Sequence, residues 1–142
     1  MKNFERWLYQ RDSEGYETSP AVKIQHPIKM WMVQPDRYFD YIARKGRQIG
    51  LAVDDRWCGG GPVDVALKVT YFDIGRGRVD IGLRTRKGEE RKQIRLTGSG
   101  KLKTATFFID DALFSAGNMD YDIIFKSSGT EAVLSFVRVI RL

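Results

Sequence analysis

One cysteine, Cys58, and one histidine, His26, supply all the thiol and imidazole chemistry of this 142-residue chain. A lone thiol excludes an internal disulfide framework and a cysteine-rich zinc site, so the folding energy must come from apolar burial. A thiol nucleophile would need that single histidine beside it, and two lone residues seldom make a dyad. No apolar run approaches the roughly 18 residues of a membrane-spanning helix. The mixed FERWLYQRD that follows Met1-Lys2-Asn3 has no apolar signal-peptide region, so neither anchor nor leader is expected. The compartment stays open; it is extracellular if the sequence is an excised module of a secreted enzyme. Helical periodicity, internal repeats and low-complexity tracts are also missing. Gly59-Gly60-Gly61 lacks the Lys-Ser/Thr and following helix of a phosphate-binding loop.

Alternation is what the chain has in quantity. From Pro62 to Leu83 the apolar residues Val63, Val65, Leu67, Val69 and Tyr71 fall on every second position, and the pattern resumes at Val79, Ile81 and Leu83. The break at Asp73-Ile74-Gly75-Arg76-Gly77 holds two glycines that permit positive φ, and the stretch is expected to form a long antiparallel hairpin. Shorter strands are expected at Phe4–Tyr9, around Val22–Ile24, at Ile28–Val33, Tyr38–Arg44 and Arg47–Val53, and again at Gln93–Leu96, Leu102–Ile109, Tyr121–Lys126 and Ala132–Leu142. Leu102–Ile109, apolar or β-branched on both faces, reads as a central strand, and the Val-rich C-terminal strand as an interior one. Asp110–Asn118 reads as a capped helical turn at most. About ten short strands with turn signals between them point to an all-β fold, an antiparallel β-sandwich or jelly roll, in one domain spanning 1–142.

Charge is concentrated. Residues 84–103 carry eight cationic side chains, Arg84, Arg86, Lys87, Arg91, Lys92, Arg95, Lys101 and Lys103, against Glu89 and Glu90, a surplus equal to the net +6 of the whole chain. Such a segment attracts polyanions, acidic polysaccharide or nucleic acid, with Arg84, Arg86, Lys87, Arg91 and Lys92 as its contacts. The plainer reading is a solvated hairpin whose charges guard a sheet edge, and nucleic acid is not the expected partner.

The loop Asp54-Asp55-Arg56-Trp57-Cys58-Gly59-Gly60-Gly61-Pro62 is the most site-like stretch. Sugar recognition needs flat aromatic faces and forked donors or acceptors, and Trp57 beside Asp55 and Arg56 supplies both. Trp57 equally suits the role of a plug at the end of the fold. Trp7 and Trp31 are further candidate platforms, with a core position as the alternative for each. Arg44 is a candidate sugar contact that alternatively pairs with an aspartate. The acidic pairs Asp54-Asp55, Glu89-Glu90 and Asp110-Asp111 put adjacent residues on opposite strand faces, so none by itself is the opposed pair of a glycosidase, and catalysis is not expected. No cofactor is expected; a structural calcium would suit the fold class, but no ligand motif supports it.

Taken in order, RWLYQRD, YIARK at 41–45, the strand leading into VDDRW, VTYFDIGRGRVDIGL, LTGSGKLKTATFFIDDALF and DYDIIF resemble the galactose-binding-like β-jelly-roll modules appended to bacterial secreted glycoside hydrolases. The likeness runs from about residue 4 to 140 and lies in the order and spacing of the segments. It implies a non-catalytic carbohydrate-binding or enzyme-accessory domain, with a polysaccharide or glycan as partner and a catalytic domain as neighbour in the same chain.

Overall fold

Strand after strand, one residue in two turns inward, and one main core results, with a small second cluster of Ala43, Phe72 and Val133 beside it. The computed structural model describes residues 5–10, 12–21, 24–27, 38–41, 43–54, 57, 61–114 and 121–142, with the backbone alone described at 5–7, 9–10, 24–27 and 38–41. Its strands are β1 (Glu5–Trp7), β2 (Tyr9–Gln10), β3 (Ser19–Pro20), β4 (Ile24–Pro27), β5 (Tyr38–Tyr41), β6 (Arg44–Gly46), β7 (Gln48–Ala52), β8 (Val63–Phe72), β9 (Gly77–Thr85), β10 (Gly88–Leu96), β11 (Leu102–Ala112), β12 (Ile123–Gly129) and β13 (Ala132–Arg141). Every pairing is antiparallel. Eleven of the strands form one sheet, curled as a half-barrel, and β4 with β5 forms a separate ribbon.

The curled sheet divides into two arcs. One runs β2-β7-β12-β9-β10 and the other β11-β8-β13, continued by β1, β6 and β3. They join where Ala112 at the end of β11 pairs with Thr85 at the end of β9. Inward residues of both arcs fill one interior: Val65, Leu67, Val69, Val137 and Val139 from one, and Ile49, Leu51, Ile81, Ile123 and Phe125 from the other. Each is under 9 % exposed, and burying a side chain of this size contributes about 1.5–3 kcal/mol.

The expected hairpin of Pro62–Leu83 is not formed. β8 pairs with β11 and β13, while β9 pairs with β10 and β12, so the segment between them is an arch that carries the chain from one arc to the other. Both strands are apolar on one face, and placing those faces opposite one another across the core buries them better than side-by-side pairing would. β10 to β11 and β12 to β13 are crossings of the same kind. The hairpin the structure does form is β9–β10, turning at Arg86–Lys87. A second departure concerns β11: among the described residues it pairs over Leu102–Ile109 only with β8, as an edge and not a central strand. Its outer residues Thr104, Thr106 and Phe108 are exposed, and a β-branched threonine reads the same in either setting. β13, flanked by β8 on one side and by β1 and β6 on the other, is interior as expected. At the N-terminus the expected strand is split: β1 joins β13 in one arc and β2 joins β7 in the other.

Asp73 knots the arches together. Its side chain is fully buried and accepts hydrogen bonds from Thr97 N at 2.7 Å, Ser99 Oγ at 2.6 Å, Ser99 N at 3.2 Å and the Thr97 hydroxyl, with Lys103 Nζ at 3.0 Å. Burial alone would push this carboxyl's pKa up; the hydrogen bonds from Ser99, Thr97 and Lys103 outweigh it and hold the group well below the ordinary range. The β12–β13 linker is laced in at the same end: Arg76 N donates to Thr130 Oγ1 and Thr130 N to the Arg76 carbonyl, each at 3.0 Å. Gly75 and Gly77 do adopt positive φ, +78° and +111°, and a Cβ on Gly77 would lie 1.9 Å from the Ser128 carbonyl oxygen.

Candidate functional site

Outward residues of the β10-β9-β12-β7 arc form rows across the strands, because directly paired residues share a face. Arg91, Gly82, Ile124 and Gly50 make one row, and Gln93, Asp80, Lys126 and Gln48 the next. Two glycines keep the first row low. At Gly50 the vacancy is taken by Tyr121, whose ring would stand 2.3 Å from a Cβ there. At Gly82 a Cβ would meet only Glu89 Oε1, at 3.2 Å, so the surface dips.

That dip is the floor of a groove of about 1030 Å³, large for a small-ligand cleft. One wall is aromatic. Tyr16, from the loop between β2 and β3, lies 4.7 Å from Tyr121 between ring centroids at 52°, and Ser13 Oγ is 2.7 Å from the Tyr121 hydroxyl. Arg44 braces this loop, donating from Nε to Thr18 Oγ1 at 3.0 Å and from Nη2 to the Thr18 carbonyl at 2.9 Å, with Asp12 Oδ2 at 3.4 Å. The opposite wall is charged, with Arg84 from β9 and Glu89 and Arg91 from β10. Arg91 leans on Glu89 at 3.5 Å, a surface pair worth about 0–1 kcal/mol. Neither Arg84 nor Lys126 has an ion pair among the described residues. Asp80 lines the floor; Arg78 Nε stands 3.5 Å from its buried Oδ1, which accepts no hydrogen bond among the described residues.

The groove therefore sets ring faces, an apolar floor residue in Ile124, carboxylate acceptors and guanidinium donors along one channel. A polyhydroxylated ring offers the complementary surface: C–H faces for the tyrosines and hydroxyl pairs for Asp80, Glu89, Arg84 and Arg91.

The residues expected from sequence are distributed otherwise. Trp57 is half-buried and packed on the core, with the Arg141 guanidinium 5.2 Å from its ring centroid and Arg141 Nη2 donating to its carbonyl at 3.0 Å. It sits as a plug, one face of the indole occupied by the chain's own arginine. Asp55, Arg56 and Trp31 lie outside the described residues, as does the side chain of Trp7. The strand expected at Ile28–Val33 lies outside them too. Arg44 is spent on the Thr18–Asp12 loop, which it holds in place as the groove's wall.

The basic segment does not form one patch. Arg84 and Arg91 face the groove, Lys92 points to the other side of β10 and pairs with Glu90 at 3.1 Å, and Arg86 at the hairpin tip pairs with Asp111 Oδ2 at 3.1 Å. Lys87 is exposed in the turn beside it. Asp110-Asp111 does not cap a helical turn: β11 runs on to Ala112, with Asp111 in a bulge at φ +53°. Among the described residues no three His, Cys, Asp or Glu side chains come together as a metal site.

Tyr16, Tyr121, Gly82, Asp80, Ile124 and Lys126 were not expected as site residues. Alternation places Asp80 with Gly82, and Ile124 with Lys126, but only the pairing of β12 with β9 brings the two couples together. A scan against protein-family models finds no match to this chain, and no curated protein matches it.

Proposed function

We propose that the chain is a non-catalytic glycan-binding domain of the jelly-roll type, and that the groove across β9 and β12 takes the sugar. The observation that carries this reading is the aromatic wall of Tyr16 and Tyr121 standing across a glycine-lowered floor from Arg84 and Arg91. The arches between β8 and β9, β10 and β11, and β12 and β13 support the jelly-roll part, since each crosses from one arc to the other. Glu89 and Glu90 support the non-catalytic part. They stand on opposite faces of β10, each tied to its own cation at 3.5 and 3.1 Å, so they do not converge on one bond. A catalytic domain in the same natural chain is the partner that fits an accessory module.

The test fills the groove without disturbing the fold. Gly82 has no positive φ, and the only atom a Cβ would press is the flexible end of Glu89. Gly82→Val, read on a glycan array and by affinity electrophoresis in neutral and acidic polysaccharides, abolishes retention while leaving the melting curve in place. Trp57→Ala lowers stability and leaves the affinity of the folded protein unchanged. Retention that survives Gly82→Val, or no retention on any glycan, overturns the reading.

A second reading is favoured by the unpaired Arg84 and Lys126 on the groove face and by Arg95, exposed further along β10. An acidic polysaccharide laid along that face would satisfy all three. Its binding falls steeply as salt rises, whereas binding of a neutral glycan changes little. Binding to heparin that ignores salt, or none at low salt, removes this second reading.

A further inference from the structure

Two strands of the sheet that pair on one side only among the described residues are guarded very differently. Among the described residues β10 pairs only with β9, and its sequence, GEERKQIRL, sets charges along that edge; charged side chains on an edge are how sheets discourage further pairing. Over Leu102–Ile109, β11 also pairs on one side only among the described residues, with β8. Yet Thr104-Ala105-Thr106-Phe107-Phe108-Ile109 has no charge and no proline, and Phe108 is 66 % exposed. A β-prone, uncharged segment of about six residues on a free edge is a template for another strand.

The charges that flank this segment choose the occupant. Lys101 precedes it and Asp110 follows it; both are exposed and neither has an ion pair among the described residues. Cation at one end and carboxylate at the other make the strand complementary to itself when reversed. We propose that β11 pairs antiparallel with β11 of a second copy about a two-fold axis through Thr106, joining two curled sheets edge to edge. Side chains directly opposite must share a face, which restricts a two-fold pairing to registers with one residue facing itself. With Thr106 at the axis, Thr104 of one copy faces Phe108 of the other, Ala105 faces Phe107, and Lys101 meets the Asp110-Asp111 end. The β10 edge does not compete, because Glu89, Glu90, Arg91, Lys92 and Arg95 leave it no neutral run longer than Gln93-Ile94. The pairing is independent of what the groove binds, since the groove lies on the other arc.

Light scattering behind size exclusion, with sedimentation velocity across the micromolar range, tests this. The expected result is a concentration-dependent species of twice the 16.3 kDa chain mass. Thr106 is exposed, so Thr106→Lys leaves the fold intact by circular dichroism; it opposes two lysines at the axis and weakens dimerisation about tenfold or more. Gln93→Lys on the β10 edge leaves the dimer unchanged. Lys101→Asp and Asp110→Lys each weaken it, and the double swap restores it. A monomer at every concentration, a dimer indifferent to Thr106→Lys, or one broken by Gln93→Lys overturns the proposal.

Discussion

Asp73 illustrates how one side chain can be worth more than its neighbours. Six donors converge on its two oxygens, from Thr97, Gly98, Ser99 and Lys103, and the carboxylate they hold is fully buried. Asp73→Ala removes all of these bonds at once and is expected to cost about 3 kcal/mol or more, read from urea unfolding curves. The pH dependence follows from the depressed pKa. An unfolded aspartate titrates near ~3.9, so below that pH the unfolded chain holds a proton the folded one does not. The stabilisation from Asp73 is complete above that value and is lost as the pH falls toward the folded pKa. The wild-type melting temperature should therefore fall more steeply below pH ~4 than that of Asp73→Asn; parallel curves would remove Asp73 from the acid response. Nearby, burial raises the pKa of the Tyr71 phenol, Lys103 opposing the shift and Asp73 adding to it.

Among the elements, the join between the arcs rests on a strained residue. Asp111 holds φ +53° in the β11 bulge; its amide donates to Asp64 Oδ1 at 2.9 Å, its carbonyl accepts from Arg86 N at 2.9 Å, and its carboxylate takes the Arg86 side chain. Left-handed backbone costs an ordinary residue roughly 1–2 kcal/mol, and asparagine less. Asp111→Asn and Asp111→Ala both lose the exposed ion pair, so their difference in unfolding free energy isolates the backbone. We expect alanine to be the less stable by about 1 kcal/mol. Equal stabilities would show that the bulge relaxes. Gly77 is a harsher case. With φ at +111° and a carbonyl 1.9 Å from where a Cβ would sit, Gly77→Ala must cost more than about 1 kcal/mol in the same assay.

These two positions also mark how far the sequence could be read. Period-2 alternation located β7, β8, β9, β12 and β13 and the inward set Val65, Leu67, Val69, Ile81 and Leu83, because burial on one face is written into every second residue. The glycines at 75 and 77 announced a reversal for the same local reason. Whether the reversal was a hairpin or an arch was not written there. Both use positive-φ glycines, and they differ only in partners tens of residues away: Thr97–Ser99 reaching Asp73, and Thr130 reaching Arg76. The groove was illegible on the same ground. Gly82 and Ile124 become neighbours through cross-strand register, and Tyr16 reaches Tyr121 from a loop with no pattern of its own. Trp57 stood out in the sequence because a tryptophan among glycines is conspicuous, a property that a plug and a platform share.

At the scale of the whole molecule, the two arcs have one interior and cannot be stable apart. Val139 and Leu67 on one side and Phe125 and Ile81 on the other belong to the same buried cluster, and the three arch linkers are tied at one end by Asp73 and Thr130. A cavity opened in either arc should thus lower the stability of both. Phe125 in β12 is fully buried, and Phe125→Ala is expected to cost about 3–5 kcal/mol. With Trp7 and Trp31 replaced by phenylalanine, Trp57, packed on the same core and held by Arg141 near the C-terminal end of β13, gives a fluorescence signal from the region of the other arc. If the half-barrel is one cooperative unit, the fluorescence transition of Phe125→Ala moves to lower denaturant together with the far-ultraviolet circular dichroism, and the two midpoints coincide. A variant in which the dichroism shifts and the fluorescence does not would mean that the arcs unfold separately, and the single core would then be a contact between two units instead of the structure that holds them.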